Sequence, residues 1–330
     1  MSIRRSLSVF LLLAGLGCGP RLLGQAQSPA PAPAQPQSSA QRRPGQTPSP
    51  TPSPSFSKTV NEVNIVFSAT TKHHQYITGL TPQYLHVFDN HKPQQIQQLL
   101  TEGNVPLRLA LVIDTSTSVR TRFHFEQQAA ITFFETVLRP GVDKGMVVSF
   151  DTNVIVNQPM TGDVHLLAQA IRGLSANGGT ALYDAVYDTI AKGLLKSGTP
   201  KMRRAIVLIS DGDDDASAPG MREKAVALAE SAGVVIFSIS TDATGMDEHG
   251  DSVMRSFAYY TGGQFYYPFR ADKLGSMFEQ IAYELNHEYL LTYIPNDFEL
   301  NGDYHAVKIK PISPNIVIRA RKGYYAIRTP

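Results

Sequence analysis

Cysteine occurs once in the 330 residues and tryptophan not at all. The lone Cys18 closes no internal disulfide and supplies neither the paired thiolates of a structural zinc site nor those of an iron–sulfur cluster. Charge is scarce as well: 18% of the residues are charged, with 30 Lys+Arg against 28 Asp+Glu and a formal net charge of +2. Such a balance provides no broad electropositive face of the kind that duplex nucleic acid requires. Beyond the first 26 positions no apolar run reaches the roughly 18 residues of a membrane-spanning helix. Enzyme signatures are missing too. His287-Glu288 is followed by Leu291 where a metalloprotease helix needs its second His, and residues 193–198 lead into Thr199-Pro200 where a phosphate-binding loop needs Lys and a hydroxyl. No G-x-S-x-G elbow is present, and no base stands near Ser116 or Ser118 in the sequence. A non-enzymatic protein is the expectation.

What is present begins with an export signal. Arg4 and Arg5 precede the apolar residues 7–16 (LSVFLLLAGL), which have the charge, length and position of a signal-peptide core. Cleavage after Ala26 competes with lipidation at Cys18, so the chain is expected in the periplasm, the cell envelope or outside the cell. Residues 1–26 hold three Arg and no acid, so their removal takes the formal net charge from +2 to −1. Residues 27–56 are mostly Pro, Gln, Ser, Ala and Thr, with nine of the 22 prolines. They cannot bury a core and are expected to form a disordered, extended tether.

Short alternating runs at 60–67 (VNEVNIVF) and 83–88 (QYLHVF), separated by the turn GLTP, predict strands of a small β module. From residue 105 the pattern changes. Apolar runs of strand length at 107–113, 145–150, 205–209, 234–239 and 264–267 alternate with helix-period segments at 123–138, 164–174, 181–195, 221–232, 252–260 and 273–286. Alternation of this kind writes a doubly wound α/β fold, a mostly parallel sheet with helices on both faces. After His287 strand character returns at 288–294, 305–310 and 315–321. The expected organisation is a signal at 1–26, a linker at 27–56, an α/β domain at 105–286, and one β module built from 57–104 and 287–330.

The first apolar strand ends in Asp114 to Ser118 (DTSTS), where a parallel strand delivers residues to the carboxyl edge of its sheet, the usual place for sites in open α/β sheets. A second strand ends in Ser210-Asp211-Gly212, and Asn177 to Thr180 (NGGT) lies between the two. Carboxylates and hydroxyls without His or Cys suit Mg²⁺, or Mn²⁺, better than Zn²⁺ or copper. Asp213, Asp214 and Asp215 follow directly, but Ala216 and Arg222 stand where a calcium loop needs Gly and Glu. This run, and the later Asp242, Asp247, Glu248 and Asp251, read either as solvated acidic loops or as a second cation site. Asp184 reads as support for the helix after Thr180 or as an orienting group behind a metal.

In these features the chain resembles a von Willebrand factor A-type domain with a metal-ion-dependent adhesion site, whose pattern is D-x-S-x-S followed by a distant Thr and a distant Asp. Asp114, Ser116, Ser118, Thr180 and Asp211 fill all five positions. The flanks, ITGLTPQYLHVF at 77–88 and YLLTY through RARKGYY at 289–325, resemble the secreted acidobacterial VWFA-related proteins. The resemblance implies that Ser116, Ser118 and Thr180 bind Mg²⁺ directly, with Asp114 and Asp211 acting largely through water. It also implies a protein ligand that supplies an acidic residue to the metal. Thr180 would stand at a helix N-terminus whose N–H groups favour anions. The alternative is a cell-envelope scaffold that uses its β module, with the metal structural.

Overall fold

Strands that are apolar on both faces must be covered on both, and residues 107–114 meet that requirement with alternate side chains. Leu107, Leu109, Leu111 and Ile113 enter one core, and Ala110 and Val112 the other. The computed structural model describes residues 62–101, 105–117, 123–196, 201–241, 249–267, 273–296 and 298–327. The signal at 1–26, the linker at 27–56 and the acidic positions 242, 247 and 248 lie outside these residues. In chain order the elements are β1 (Val63–Thr71), a 3₁₀ turn (Pro82–Tyr84), β2 (Leu85–Asp89), β3 (Lys92–Gln94), β4 (Ile96–Thr101) and β5 (Leu107–Asp114). Then come α1 (Phe123–Val137), β6 (Lys144–Phe150), β7 (Val154–Thr161), α2 (Val164–Arg172), and α3 (Leu182–Asp188), which runs into a π-helical turn at Thr189–Leu194. They are followed by β8 (Arg203–Ser210), α4 (Met221–Ala232), β9 (Val234–Ser240), α5 (His249–Thr261), β10 (Phe265–Tyr266) and α6 (Leu274–Leu285). The chain closes with β11 (Tyr289–Tyr293), β12 (Tyr304–Pro311), β13 (Ile316–Ala320) and β14 (Gly323–Tyr325).

Six strands form the central sheet in the order β10-β9-β8-β5-β6-β7, parallel except for the antiparallel edge strand β7. One face packs on α1, α2 and α6 through Phe133, Phe134, Leu167, Ile171, Phe278 and Ile281. The other packs on α3, α4 and α5 through Leu182, Val186, Leu228, Met254 and Phe257. The doubly wound expectation therefore holds. The helix expected over 181–195 changes to π geometry at Thr189, and a Cβ on Gly193 would lie 2.7 Å from the Met146 thioether. Close approach to β6 thus sets the path of this segment.

Two four-stranded antiparallel sheets, β13-β1-β11-β4 and β14-β12-β2-β3, make the β module. β1 pairs with both β11 and β13, and β12 with β2, so segments from both sides of the α/β body share one core of Ile65, Phe67, Leu85, Leu291, Tyr293 and Ile309. Val66 and Leu290, on the opposite face of that sheet, belong to the core of the α/β body. Among the described residues no helix is long and apolar enough to cross a membrane.

Candidate metal centre

β5 carries Asp114 to the carboxyl edge, where the side chain is fully buried. Its Oδ1 accepts from the Ser116 backbone N–H at 2.8 Å and its Oδ2 from the Ser210 hydroxyl at 2.6 Å. Burial pushes its pKa up to about 6; the Ser210 and Ser116 donors oppose that rise and the nearby Asp211 adds to it. Ser210 ends β8, the neighbour of β5, and its hydroxyl also accepts from the Gly212 N–H at 3.0 Å. Asp211 is fixed by an N–H of Asp213 at 3.2 Å.

The third segment reaches the same edge through backbone bonds. The Thr117 N–H and hydroxyl both donate to the Gly178 carbonyl, at 3.3 and 3.1 Å. Gly178 has φ +81°, and a Cβ there would lie 3.1 Å from Asp151, so this turn requires glycine. Ser116, Thr180 and Asp211 consequently line one cleft of about 410 Å³, together with Asp213, Asp214 and Asp215. Of the five expected positions, Asp114, Ser116, Thr180 and Asp211 are brought together. Ser118 lies outside the described residues.

Two expectations change at this edge. The N–H groups of Thr180 and Tyr183 at the start of α3 are already engaged from within the chain: Asp215 accepts from the Thr180 N–H at 2.7 Å, while Asp214 and the Ser217 hydroxyl accept from that of Tyr183. Two of the acids after Asp211 are therefore internal caps for α3. Asp184 likewise accepts from the Ala218 N–H at 3.2 Å, which ties α3 to the same loop. Asp251 does not stand in a solvated loop; it lies in the first turn of α5 and is only 1% exposed. His73 and His74 are exposed in the turn after β1.

Sequence reasoning assigned no role to Ser210, Ser217 or Asp151. Asp151 follows β6 at the same sheet edge; its carboxylate accepts from the Asn153 N–H at 2.7 Å and its carbonyl from that of Ala181 at 2.8 Å. The strand-end rule that picked out Asp211 would have found it. Among the described residues no group of three or more His, Cys, Asp and Glu is placed to hold a metal ion. A cation at this edge would therefore rest on the Ser116 and Thr180 hydroxyls beside Asp114 and Asp211, an all-oxygen set that fits a hard dication.

Residues 109–213 match the sequence profile of the von Willebrand factor type A domain. Among solved structures, proximal thread matrix protein 1 from the mussel byssus resembles 68% of this chain at 16% identity with a TM-score of 0.48. The chain spans 50% of the length of that mussel protein. A von Willebrand factor type A structure from Catenulispora acidiphila aligns over 82% of this chain and 75% of its own, at 12% identity and a TM-score of 0.49. The corresponding domain of the type V pili tip protein Mfa5 from Porphyromonas gingivalis aligns over 55% of this chain and 95% of its own, at 15% identity and a TM-score of 0.49. Comparison with curated proteins finds no match. The matched profile runs from β5 to the Ser210-Asp211-Gly212 edge, and the mostly parallel six-stranded sheet with its two helical layers has a von Willebrand factor type A-like α/β fold.

Proposed function

We propose that this is an exported, non-enzymatic binding protein that captures a protein ligand through a dication at the carboxyl edge of the central sheet, with Asp114, Ser116, Ser118, Thr180 and Asp211 as its holders. The observation that carries the reading is the convergence of Ser116, Thr180 and Asp211 on one cleft above the buried Asp114. Hydroxyl-rich coordination leaves Mg²⁺, or Mn²⁺ in its place, poorly neutralised, and an acidic side chain of a partner would complete the charge balance. Asp213 and Asp215 are exposed at the cleft, so a partner that surrounds its acidic residue with basic groups fits best. The flanking segments support placement among the acidobacterial VWFA-related proteins.

Calorimetry with Mg²⁺ on the full chain tests this. We expect binding in the wild type and loss of it in Asp114→Asn, with circular dichroism unchanged. Absence of Mg²⁺ and Mn²⁺ binding, or equal binding by the variant, overturns the metal reading. A partner pulled down equally well in EDTA, through 57–104 or 287–330, selects the scaffold alternative.

A further inference from the structure

β12 and β13 are consecutive in sequence, yet they pair with different neighbours and diverge. β12 pairs with β14 only over Tyr304–Ala306, a contact closed by the Val307 N–H donating to the Lys322 carbonyl at 2.8 Å. Over 307–311 its ladder runs to β2. Among the described residues β13 ends its sheet, pairing with β1 alone. Between the two strands lies a cleft of about 570 Å³. Of its lining residues, Lys322 donates its N–H to the Tyr260 carbonyl, and Gly262 packs on Ala320.

The side chains around this cleft carry one sign of charge. His91, Lys308, Lys310, Arg321 and Lys322 line it, and among the described residues no carboxylate does. The Lys310 ammonium sits over the Phe88 ring at 4.9 Å, and that of Lys322 over the Tyr259 ring at 4.4 Å, so both stems lie along apolar surface. Lys308 is exposed, and Val317 on β13 is 48% exposed. The edge strand, Ile316–Ala320, bears no Lys or Pro, the usual means of protecting a free edge, and its one charged residue, Arg319, is engaged by Glu284 and Gln264.

We propose that this cleft binds an extended acidic peptide segment, which adds as a strand to the free edge of β13 while its carboxylates meet Lys308, Lys310 and Lys322. A bare strand edge calls for a partner backbone, and the all-basic rim calls for negative charge; an acidic strand supplies both. At about 3.3 Å per residue the five residues of β13 match a segment of about five. The site is independent of the metal.

The probe is a blocked, dye-labelled heptapeptide of alternating Glu and Val, titrated by anisotropy against the full chain in EDTA. Three comparisons accompany it: the Lys–Val counterpart, the Glu–Val peptide N-methylated at alternate residues, and vesicles of phosphatidylglycerol. We expect the acidic peptide to bind, to slow amide exchange at 316–319, and to bind at least tenfold more weakly to Lys308→Glu/Lys310→Glu, whose melting temperature should match the wild type. The N-methylated and Lys peptides should be weaker by a similar factor. No binding of the acidic peptide, equal binding of its N-methylated form, binding without protection of 316–319, or binding of vesicles in its place would overturn the proposal.

Discussion

Asp114 has no exposed surface, and its charge is held by donors from two residues, the Ser210 hydroxyl and the backbone N–H and side chain of Ser116. Removing the first is therefore informative. Ser210→Ala leaves both the Asp114 Oδ2 and the Gly212 N–H without that partner in a buried setting, and should cost about 1–3 kcal/mol in denaturant unfolding. Under the proposed metal reading it should also weaken Mg²⁺ binding by about tenfold, because the proposed ligand Asp114 loses an orienting group. Unchanged stability and affinity would show that Ser210 does not position Asp114. Asp114, Ser116 and Asp211 were legible in the sequence because they interrupt apolar strands at their ends. Asp214 and Asp215 were not: their hydrogen bonds reach back 31 and 35 residues to Tyr183 and Thr180, a pairing that no local pattern encodes.

Between elements, close backbone approach decides what is tolerated. Gly212 has φ +87°, and a Cβ there would fall 2.2 Å from the Gly250 carbonyl oxygen at the start of α5. Gly220, just before α4, has φ +75° with nothing within 4 Å. Gly220→Ala should therefore cost only the left-handed backbone penalty of about 1 kcal/mol. Gly212→Ala adds an unavoidable clash, should cost about 4 kcal/mol or prevent folding, and should lower Mg²⁺ affinity by moving Asp211. Equal denaturation midpoints for the two variants would refute the difference.

The seam between α4 and the β module carries a pH dependence. Burial pushes the pKa of Glu230 up to about 7, against the opposing Tyr304 hydroxyl bond at 3.1 Å and the Arg321 charge. A carboxyl that binds its proton more tightly when folded stabilises the fold at low pH. That contribution declines as the pH rises from the ordinary carboxyl range through about 7. Wild-type stability should fall by about 2 kcal/mol more than that of Glu230→Gln between pH 5 and pH 8, as read from urea midpoints. Parallel pH profiles would remove Glu230 as the cause. At this scale β5, β8 and β9 were legible as unbroken apolar runs. β7 was not, since an antiparallel edge strand with Pro159 and exposed Ile155 and Val156 has neither a buried run nor strict alternation. β4, with Gln97 and Gln98 amid half-buried neighbours, was missed for the same reason.

The α/β body and the β module are joined by buried polar contacts as well as by Val66 of β1 and Leu290 of β11, which pack into the core of the body. Arg203, at the start of β8, lies 3.2 Å from Glu288, just before β11, with both side chains buried; it also donates to the Leu285 carbonyl at the end of α6. Replacing Arg203 with Met leaves Glu288, whose pKa burial already pushes up to about 8 against the Arg203 charge, as an unpaired buried carboxyl and should cost about 3 kcal/mol. Probes in the α/β body and in the β module should lose it together, in one transition; separate transitions would mean that the two parts fold independently. The doubly wound body was legible from the alternation of strand and helix periods. The pairing of its two flanks was legible only as an expectation, because no local signal records that Val63 lies opposite Tyr293.

That pairing makes the α/β body a guest inserted into a host. β1 emerges among the first strands of the chain, and its partners β11 and β13 follow more than 200 residues later. The host therefore closes last, around a guest whose contacts are mostly nearer in sequence. A chain stopped before Tyr289 would leave β1 bare on both edges, with Ile65 and Phe67 exposed to any other extended strand. Truncation at the far end thus creates an aggregation hazard at the near one.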